Sequence, residues 1–508
     1  MNSDKKVLLR VTGLRMYFPV KKSSAFQRQQ QYVKANDKIS LEIYEGETLG
    51  LVGESGCGKS TFGRVLLQLY QQTEGEVIYY GKSIQEMLPR YRLKIYRNLP
   101  RYVKTLRLLK KQELSVYEEK SFTEKDFSDE DEMKDFPDKE QLKGLPGKMN
   151  KLQRIEQMLA ESVGGLLCSD DIETVSKLLV EQYGNWEKQH RIRKKLETRK
   201  TKELKHHERQ GKKTKLERQL EEQLDQLISD EGILDQHLNE LKQSCQGNVD
   251  YDRYEKEYER GIHLKCLTEN ELRNLRKDLQ LVFQDPYSSL NPRMTVGQLI
   301  GEGVRTHQMN EQHQLERYIT KVMENCGLSS YMIHRYPHQF SGGQRQRIGI
   351  ARSLALHPKF IVCDEAVSAL DVSIQSQILN LLVDLKKKEN LTYLFISHDL
   401  SVIRYVSDRI GVMYLGRLVE LSRCKDLFEH PLHPYTRALL SAIPSVDGKA
   451  GPVIELNGEL PSPINPPAGC TFHTRCQYCT EICMKQEPAW EELCDGHMIA
   501  CHHAREMT

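Results

Sequence analysis

Residues Gly53-Glu54-Ser55-Gly56-Cys57-Gly58-Lys59-Ser60 fit the pattern G-x-x-x-x-G-K-[ST], directly after an apolar run, Thr48 to Val52, and before a helix-compatible stretch, Thr61 to Tyr70. A strand, a glycine-rich loop and a helix in that order make a cradle for phosphate. The glycines let successive backbone N–H groups converge on an anion, Lys59 reaches β and γ oxygens, and the Ser60 hydroxyl is placed for Mg²⁺. Thr61 leads into a helix whose Phe62, Val65, Leu66 and Leu69 share one face. A tight glycine turn capping a helix is the bland alternative, and the buried strand before it weighs against that reading.

The apolar runs elsewhere, such as Phe360 to Cys363 and Leu394 to Ile396, are strand-sized, far short of the roughly 20 residues a bilayer helix needs. Any role at a membrane therefore runs through a partner. Met1 to Arg10 is charged and lacks an apolar core, so no secretory signal is expected and the chain is read as cytosolic. Lys+Arg (74) nearly cancels Asp+Glu (71), which gives no reason to expect a nucleic-acid partner.

Organisation follows from shifts in composition. Residues 1–88 carry short strand patterns at Leu8 to Val11, Ile39 to Ile43 and Gly75 to Tyr80. Residues 89–266 turn to Lys, Glu, Gln and Arg, with an acidic patch at Ser128 to Glu132, and read as a charged insertion; 112–150 is expected to be unstructured. Inside it Leu220, Leu224, Leu227, Leu234, Leu238 and Leu241 form a helical stripe broken only by Glu231, which predicts a helical hairpin or short coiled coil. Residues 267–430 return to strands, Leu279 to Phe283 and Phe360 to Asp364, alternating with helices at Ile348 to Leu356 and Ile374 to Leu385. This alternation around a phosphate loop predicts a mostly parallel α/β core.

Phe360 to Val362 lead through Cys363 to two adjacent acids, Asp364 and Glu365. At the carboxyl end of a strand, Asp364 suits a Mg²⁺ shell and Glu365 suits activation of the water that attacks a γ-phosphate. In Ser341-Gly342-Gly343-Gln344, Ser341 and the two glycines are read as a helix N-terminus with free N–H groups, a second anion site.

With these motifs in order, the sequence resembles ATP-binding cassette proteins, in which such a signature faces the phosphate loop of a partner domain. The resemblance assigns Gln284 to the Q-loop, Asp371 to the D-loop and His398 to the switch histidine. It makes Phe18 the leading candidate for stacking on adenine, with Tyr17 and Tyr32 as rivals. Phe283 to Met294, Phe340, Val367 to Gln375 and Pro434 to Ser445 further resemble the oligopeptide/dipeptide importer ATPases, and within them the F-type subunit. That resemblance implies a P-loop ATPase core with a helical signature subdomain at about 286–357, the insertion, and a small cysteine-rich region in 431–508. It implies ATP and Mg²⁺ as ligands, a D-type ATPase partner, two transmembrane permease subunits and, indirectly, an extracellular or periplasmic peptide-binding protein. The place of action would be the cytoplasmic face of the cell membrane. Ala366 stands where the family has proline. A DNA-maintenance cassette ATPase is the rival class, but in that type the coiled coil follows the Q-loop, whereas here it precedes Gln284.

Six of the thirteen cysteines lie between Cys470 and Cys501. Cys470, Cys476, Cys483 and Cys501 have the spacing C-x5-C-x6-C-x17-C and resemble the cysteine tail of peptide-importer ATPases, which in some members holds a [4Fe–4S] cluster. Four thiolates suit iron–sulfur or zinc equally, and unligated thiols stay open. Cys479, Cys494, His473, His502 and His503 are spare donors.

Overall fold

A computed structural model describes residues 5–21, 30–118, 148–205, 214–307, 309, 312–443, 454–456, 458–494 and 496–507. The chain divides into two units, Met1–Gly81 with Leu272–Thr508, and Lys82–Glu271.

The first unit begins with strands β1 (Val7–Pro19), β2 (Tyr32–Tyr44), β3 (Thr48–Val52) and β4 (Glu74–Tyr79). β1 pairs antiparallel with β2 on one side and β4 on the other. β3 leaves that sheet for a larger one, together with β5 (Leu279–Val282), β6 (Phe360–Asp364), β7 (Thr392–Ile396), β8 (Arg409–Tyr414), β9 (Arg417–Arg423), β10 (Glu491–Cys494) and β11 (His497–Ile499). Their order across the sheet is β10-β11-β9-β8-β3-β7-β6-β5.

The five strands β8, β3, β7, β6 and β5 run parallel, and β9, β11 and β10 continue antiparallel. Every residue of β3, β6 and β7 is buried. Helices cover a parallel sheet on its faces, so its central strands are apolar throughout instead of alternating. One core joins Val282, Ile361, Phe395 and Val412 of this sheet to Ile300, Ile348 and Ile378 of the helices Val296–Thr306, Gly342–Leu354 and Val372–Glu389.

Helix boundaries differ from the sequence reading, the helix expected at Ile374 to Leu385 running Val372–Glu389. The helix after the phosphate loop spans Lys59–Leu66 and stops short of Tyr70, because Gln68 turns left-handed (φ 53°) and Leu69 faces outward. The signature helix starts at Gly342 with Ser341 as its cap, at the N-terminus expected there and six residues before the apolar run from Ile348.

The second unit is helical: Arg90–Glu118, Lys148–Val163, Ile172–Lys205, Lys215–Cys245 and Tyr251–Glu257. The fully buried Arg92 donates Nη1 to the carbonyl of Glu161 (2.9 Å) and Nη2 to that of Glu259 (2.6 Å), which tie the first helix to two later segments. Residues 112–118 and 148–150 are helical, while the acidic patch at 128–132 and most of the stretch expected to be unstructured lie outside the described residues. In the leucine stripe Leu220, Leu234 and Leu238 are buried. Glu231, which breaks the stripe, accepts hydrogen bonds from Trp186 Nε1 and Gln189 Nε2 of the Ile172–Lys205 helix, both at 2.6 Å.

Candidate nucleotide site

The register of the parallel strands sets the site. Leu51 lies beside Ile396, Asp364 beside Ile396, and Val282 beside Cys363. The segments beginning at Gly53, Gln284, Glu365 and Ser397 therefore emerge together at the carboxyl edge of the sheet, where open α/β sheets bind their ligands.

In the loop, Lys59 is buried, and its ammonium group donates to the carbonyls of Gly53 (2.8 Å) and Glu54 (2.9 Å) and to Cys57 Sγ (3.6 Å). Ser55 and Gly56 are exposed at the tip. Gly58 has φ 99°, and a Cβ there would lie 2.0 Å from the Ala35 carbonyl oxygen, so only glycine fits. Burial pushes the Cys57 thiol above its ordinary value against the opposing charge of Lys59. Thr61 continues the helix from Ser60.

Ser60 Oγ donates to Asp364 Oδ1 at 2.6 Å, and Arg64 Nη2 lies 3.7 Å from Asp364 Oδ2. The next residue, Glu365, takes a left-handed backbone conformation, φ 48°, a strain of about 1–2 kcal/mol for a residue with a side chain. Its carboxylate meets two groups from other strand ends: Gln284 Nε2 donates to Oε2 at 2.7 Å, and His398 Nδ1 lies 3.4 Å from Oε1. The carboxylate is mostly shielded while the imidazole is open to solvent. Ser60 and Asp364 form an all-oxygen donor set, which suits magnesium.

The signature is not brought to this loop. Ser341 caps its helix through Gln344 N–H, and Gln344 returns the bond to Ser341 N–H at 3.1 Å. Among the described residues, no hydrogen bond or ion pair joins Ser341 to Gln344 with Gly53 to Thr61. Gly343 packs on the helix after the D-loop, where a Cβ would lie 2.3 Å from Ile374 Cγ2. Gly342 has room, its nearest neighbour being Leu370 at 3.6 Å. Asp371 is exposed at the start of that helix and accepts from Ser373 Oγ at 2.9 Å.

Of the three aromatic candidates, Phe18 lies edge-on to Tyr70 with centroids 5.5 Å apart, Tyr17 donates its hydroxyl to Asp37 at 2.6 Å, and Tyr32 is exposed. Sequence reasoning missed three anchors of the loop. Asn36 Nδ2 donates to the Gly58 carbonyl (3.1 Å), Glu54 N–H donates to the Tyr435 hydroxyl (2.9 Å), and Arg475 pairs with the Glu54 carboxylate. No local signal links residues this far apart in sequence.

In the carboxyl-terminal region Cys470, Cys476, Cys483 and Cys501 lie near enough for their charges to act on one another. Burial pushes Cys470 up to about 12 and Cys501 up to about 11, and neighbouring thiols of the group add to both. Cys470 N–H donates to the Cys483 carbonyl at 2.8 Å, and His503 Nε2 lies 3.6 Å from Cys483 Sγ. His473 Nδ1 is 2.8 Å from the Cys470 carbonyl, and His502 Nε2 is 3.0 Å from that of Gln486. Cys479 adjoins the group, and Cys494 is exposed.

A phosphate loop after a buried strand, paired acids on the strand two places along, and a capped glycine signature define a nucleotide-binding domain of the ATP-binding cassette class. The family model for ABC transporter proteins matches residues 36–243 and 233–368, and the model for the oligopeptide/dipeptide transporter, C-terminal region, matches 419–483. The oligopeptide transport ATP-binding protein AppF of Bacillus subtilis is 33% identical over 504 residues, covering 98% of each chain. YkfD of the same organism, whose name also describes oligopeptide transport, is 48% identical over 52% of this chain and 79% of its own. The Sinorhizobium fredii protein y4tS, named for peptide transport, is 50% identical over 48% of this chain and 69% of its own. Among solved structures a dimeric bacterial ABC transporter cassette covers 82% of this chain and 99% of its own at 15% identity and a TM-score of 0.41. The chain belongs to the ATP-binding proteins of the oligopeptide/dipeptide ABC transporter family.

Proposed function

We propose that this chain hydrolyses ATP to power the import of oligopeptides or dipeptides through a membrane permease. The observation that carries the reading is the meeting of Gln284 and His398 on Glu365, one residue past the Ser60–Asp364 pair. Gly53 to Thr61 would hold the triphosphate, with Lys59 exchanging loop carbonyls for β and γ oxygens. Ser60, Asp364 and Gln284 would hold Mg²⁺, which when bound neutralises phosphate charge as the transition state forms. Glu365 accepts a proton from the attacking water as its oxygen bonds to the γ-phosphorus and the bond to the β-bridging oxygen breaks, releasing ADP and phosphate. Gln284 and His398 fix the carboxylate for that task, and His398 presents its exposed ring edge to the γ-phosphate. Phe18 stacks on adenine.

Ser341 to Gln344 and Asp371 act across a dimer, the helix N-terminus closing on ATP held by a D-type partner. The absence of bonds between signature and loop within one chain, among the described residues, supports this division of labour. Residues 1–88 and 267–430 then form the ATPase, 89–266 an insertion and 431–508 the peptide-importer region. The place of work is the cytoplasmic face of the membrane, beside two permease subunits served by an external peptide-binding protein. No helix among the described residues is long and apolar enough to cross a membrane.

For the cysteine group we propose a [4Fe–4S] cluster on Cys470, Cys476, Cys483 and Cys501; a soft, all-thiol donor set supports it. Iron and acid-labile sulfide assays on anaerobically purified protein test it, and zinc or unligated thiols would replace it.

The function is tested in a strain lacking this chain and supplied with a radiolabelled tripeptide. Wild-type chain restores uptake and Glu365→Gln does not. Failure of the wild type to restore uptake of any peptide would overturn the cargo.

A further inference from the structure

Glu54 stands at the second position of the phosphate loop, and three of its groups are held. Its carbonyl accepts from Lys59 Nζ at 2.9 Å, its N–H donates to the Tyr435 hydroxyl at 2.9 Å, and its carboxylate takes both arms of the Arg475 guanidinium, at 2.8 and 3.1 Å. The two clamping residues come from the carboxyl-terminal region, 381 and 421 residues along the chain. Both are well enclosed: Tyr435 is fully buried, and the Arg475 side chain is 7% exposed. They share a support. Tyr435 lies 4.8 Å from Tyr414 and 5.4 Å from Phe472, ring to ring, and Arg475 lies over Tyr414 at 5.9 Å.

This arrangement has two consequences for ATP. The Glu54 N–H is spent on Tyr435, so the loop's conformation at its first turn is set from outside the loop. The Glu54 carboxylate, a negative charge one peptide from the carbonyls that seat Lys59, is cancelled by a bidentate guanidinium. Left uncancelled, it would repel the triphosphate that Lys59 attracts.

We propose that Arg475 and Tyr435 are positioning residues for the phosphate loop, with Arg475 neutralising Glu54 so that ATP can bind. The carboxyl-terminal region of this chain is thereby a working part of the nucleotide site. The proposal rests on the loop's binding ATP, as the function above requires.

The test is equilibrium binding of a fluorescent ATP analogue to the purified full chain, which needs no partner subunit. Arg475→Gln is expected to weaken binding about fivefold, the size of a unit charge's repulsion when it is largely screened by solvent. Adding Glu54→Gln to that variant should return affinity to within about twofold of wild type, because no charge is then left to cancel. Glu54→Gln alone should tighten binding, since Arg475 then faces the phosphates unopposed. A purely structural Arg475 would leave the double variant at least as weak as the single one, and that result overturns the proposal, as does unchanged affinity in Arg475→Gln. If Arg475→Gln does not fold, Glu54→Gln decides: equal or weaker binding refutes charge cancellation. Wild-type protein that binds no ATP would defeat the function itself, whereas wild-type binding with the wrong order of variants defeats this inference alone.

Discussion

Ser60 Oγ donates a 2.6 Å hydrogen bond to Asp364 Oδ1, joining the first residues of the helix after the phosphate loop to the end of β6. Both are hard oxygen donors: Asp364 is buried at the end of β6, and Ser60 lies in the first turn of the helix Lys59–Leu66. With one ligand fixed by the strand and the other by the helix, a cation would be held without reorganising either. Ser60→Ala should therefore lower ATP affinity in magnesium toward the value measured with a chelator, while affinity in the chelator stays close to wild type. Titrations with and without magnesium check this.

Among the described residues, Glu365 is the one carboxylate that Gln284 and His398 both approach. General-base catalysis contributes roughly a hundredfold or more. Glu365→Gln is expected to retain ATP binding and lose at least about that factor in phosphate release by the assembled ATPase. His398→Ala should lose less, because Gln284 still holds the carboxylate. Equal losses in the two variants would move the base's role from Glu365 to the pair.

How far the sequence revealed this site can be judged residue by residue. The phosphate loop, the acids at the end of β6 and the signature each announce themselves within eight or nine residues, because one strand, one turn and one helix cap make each of them. The stripe of leucines likewise announced a long helix. Long-range partners are different. Nothing near Glu54 in sequence says that Tyr435 and Arg475 will hold it, since that contact exists only after β8 and β9 bring the carboxyl-terminal region back to β3. The N-terminus expected of Ser341 and the two glycines is where the signature helix begins, because the Ser341–Gln344 capping box starts it at Gly342, ahead of the apolar periodicity at Ile348. Leu69 fits the helical stripe beyond Leu66, but Gln68 turns the chain before it and the helix ends.

Asp37 shows a pH dependence. Burial alone would raise its carboxyl, but the hydrogen bond from Tyr17 and those from Arg417, with the charges of Arg417 and Arg15, outweigh burial and hold it below the ordinary 3.8. A carboxylate depressed in the folded state stabilises the fold above its unfolded value, and that contribution is lost as pH falls through the folded value. Asp37→Asn should cost about 1 kcal/mol at pH 7, since Arg417 loses its pair with Asp37 but keeps the one with Glu487 at 2.7 Å. The gap between wild type and variant should close as pH falls below 3.8. Urea denaturation across pH 2.5 to 7 measures it, and a gap that stayed constant would show that charge is irrelevant there.

Glu231 offers the sharpest contrast between pattern and packing. By sequence it is the flaw in a leucine stripe, and Glu231→Leu would complete the heptad, a change that ordinarily stabilises paired helices by burying more apolar surface. In the folded insertion, however, its carboxylate accepts from Trp186 Nε1 and Gln189 Nε2 of the neighbouring helix and from Gln85 Nε2 at 3.1 Å. Gln189 and the nearby Asn185 are buried, and Gln189 also donates to Asn185 at 2.9 Å. A leucine would leave the indole N–H and an amide N–H without an acceptor, and each orphaned donor costs about 1–3 kcal/mol. That outweighs the roughly 2 kcal/mol gained by burying a leucine. Glu231→Leu is thus expected to destabilise the helical unit, and Glu231→Gln, which keeps an acceptor, to cost less. Hydrogen exchange at the amides of Ile172–Lys205 and Lys215–Cys245 reads the difference without interference from the other unit; slower exchange in Glu231→Leu would mean that the stripe, and not the polar hub, holds these helices together.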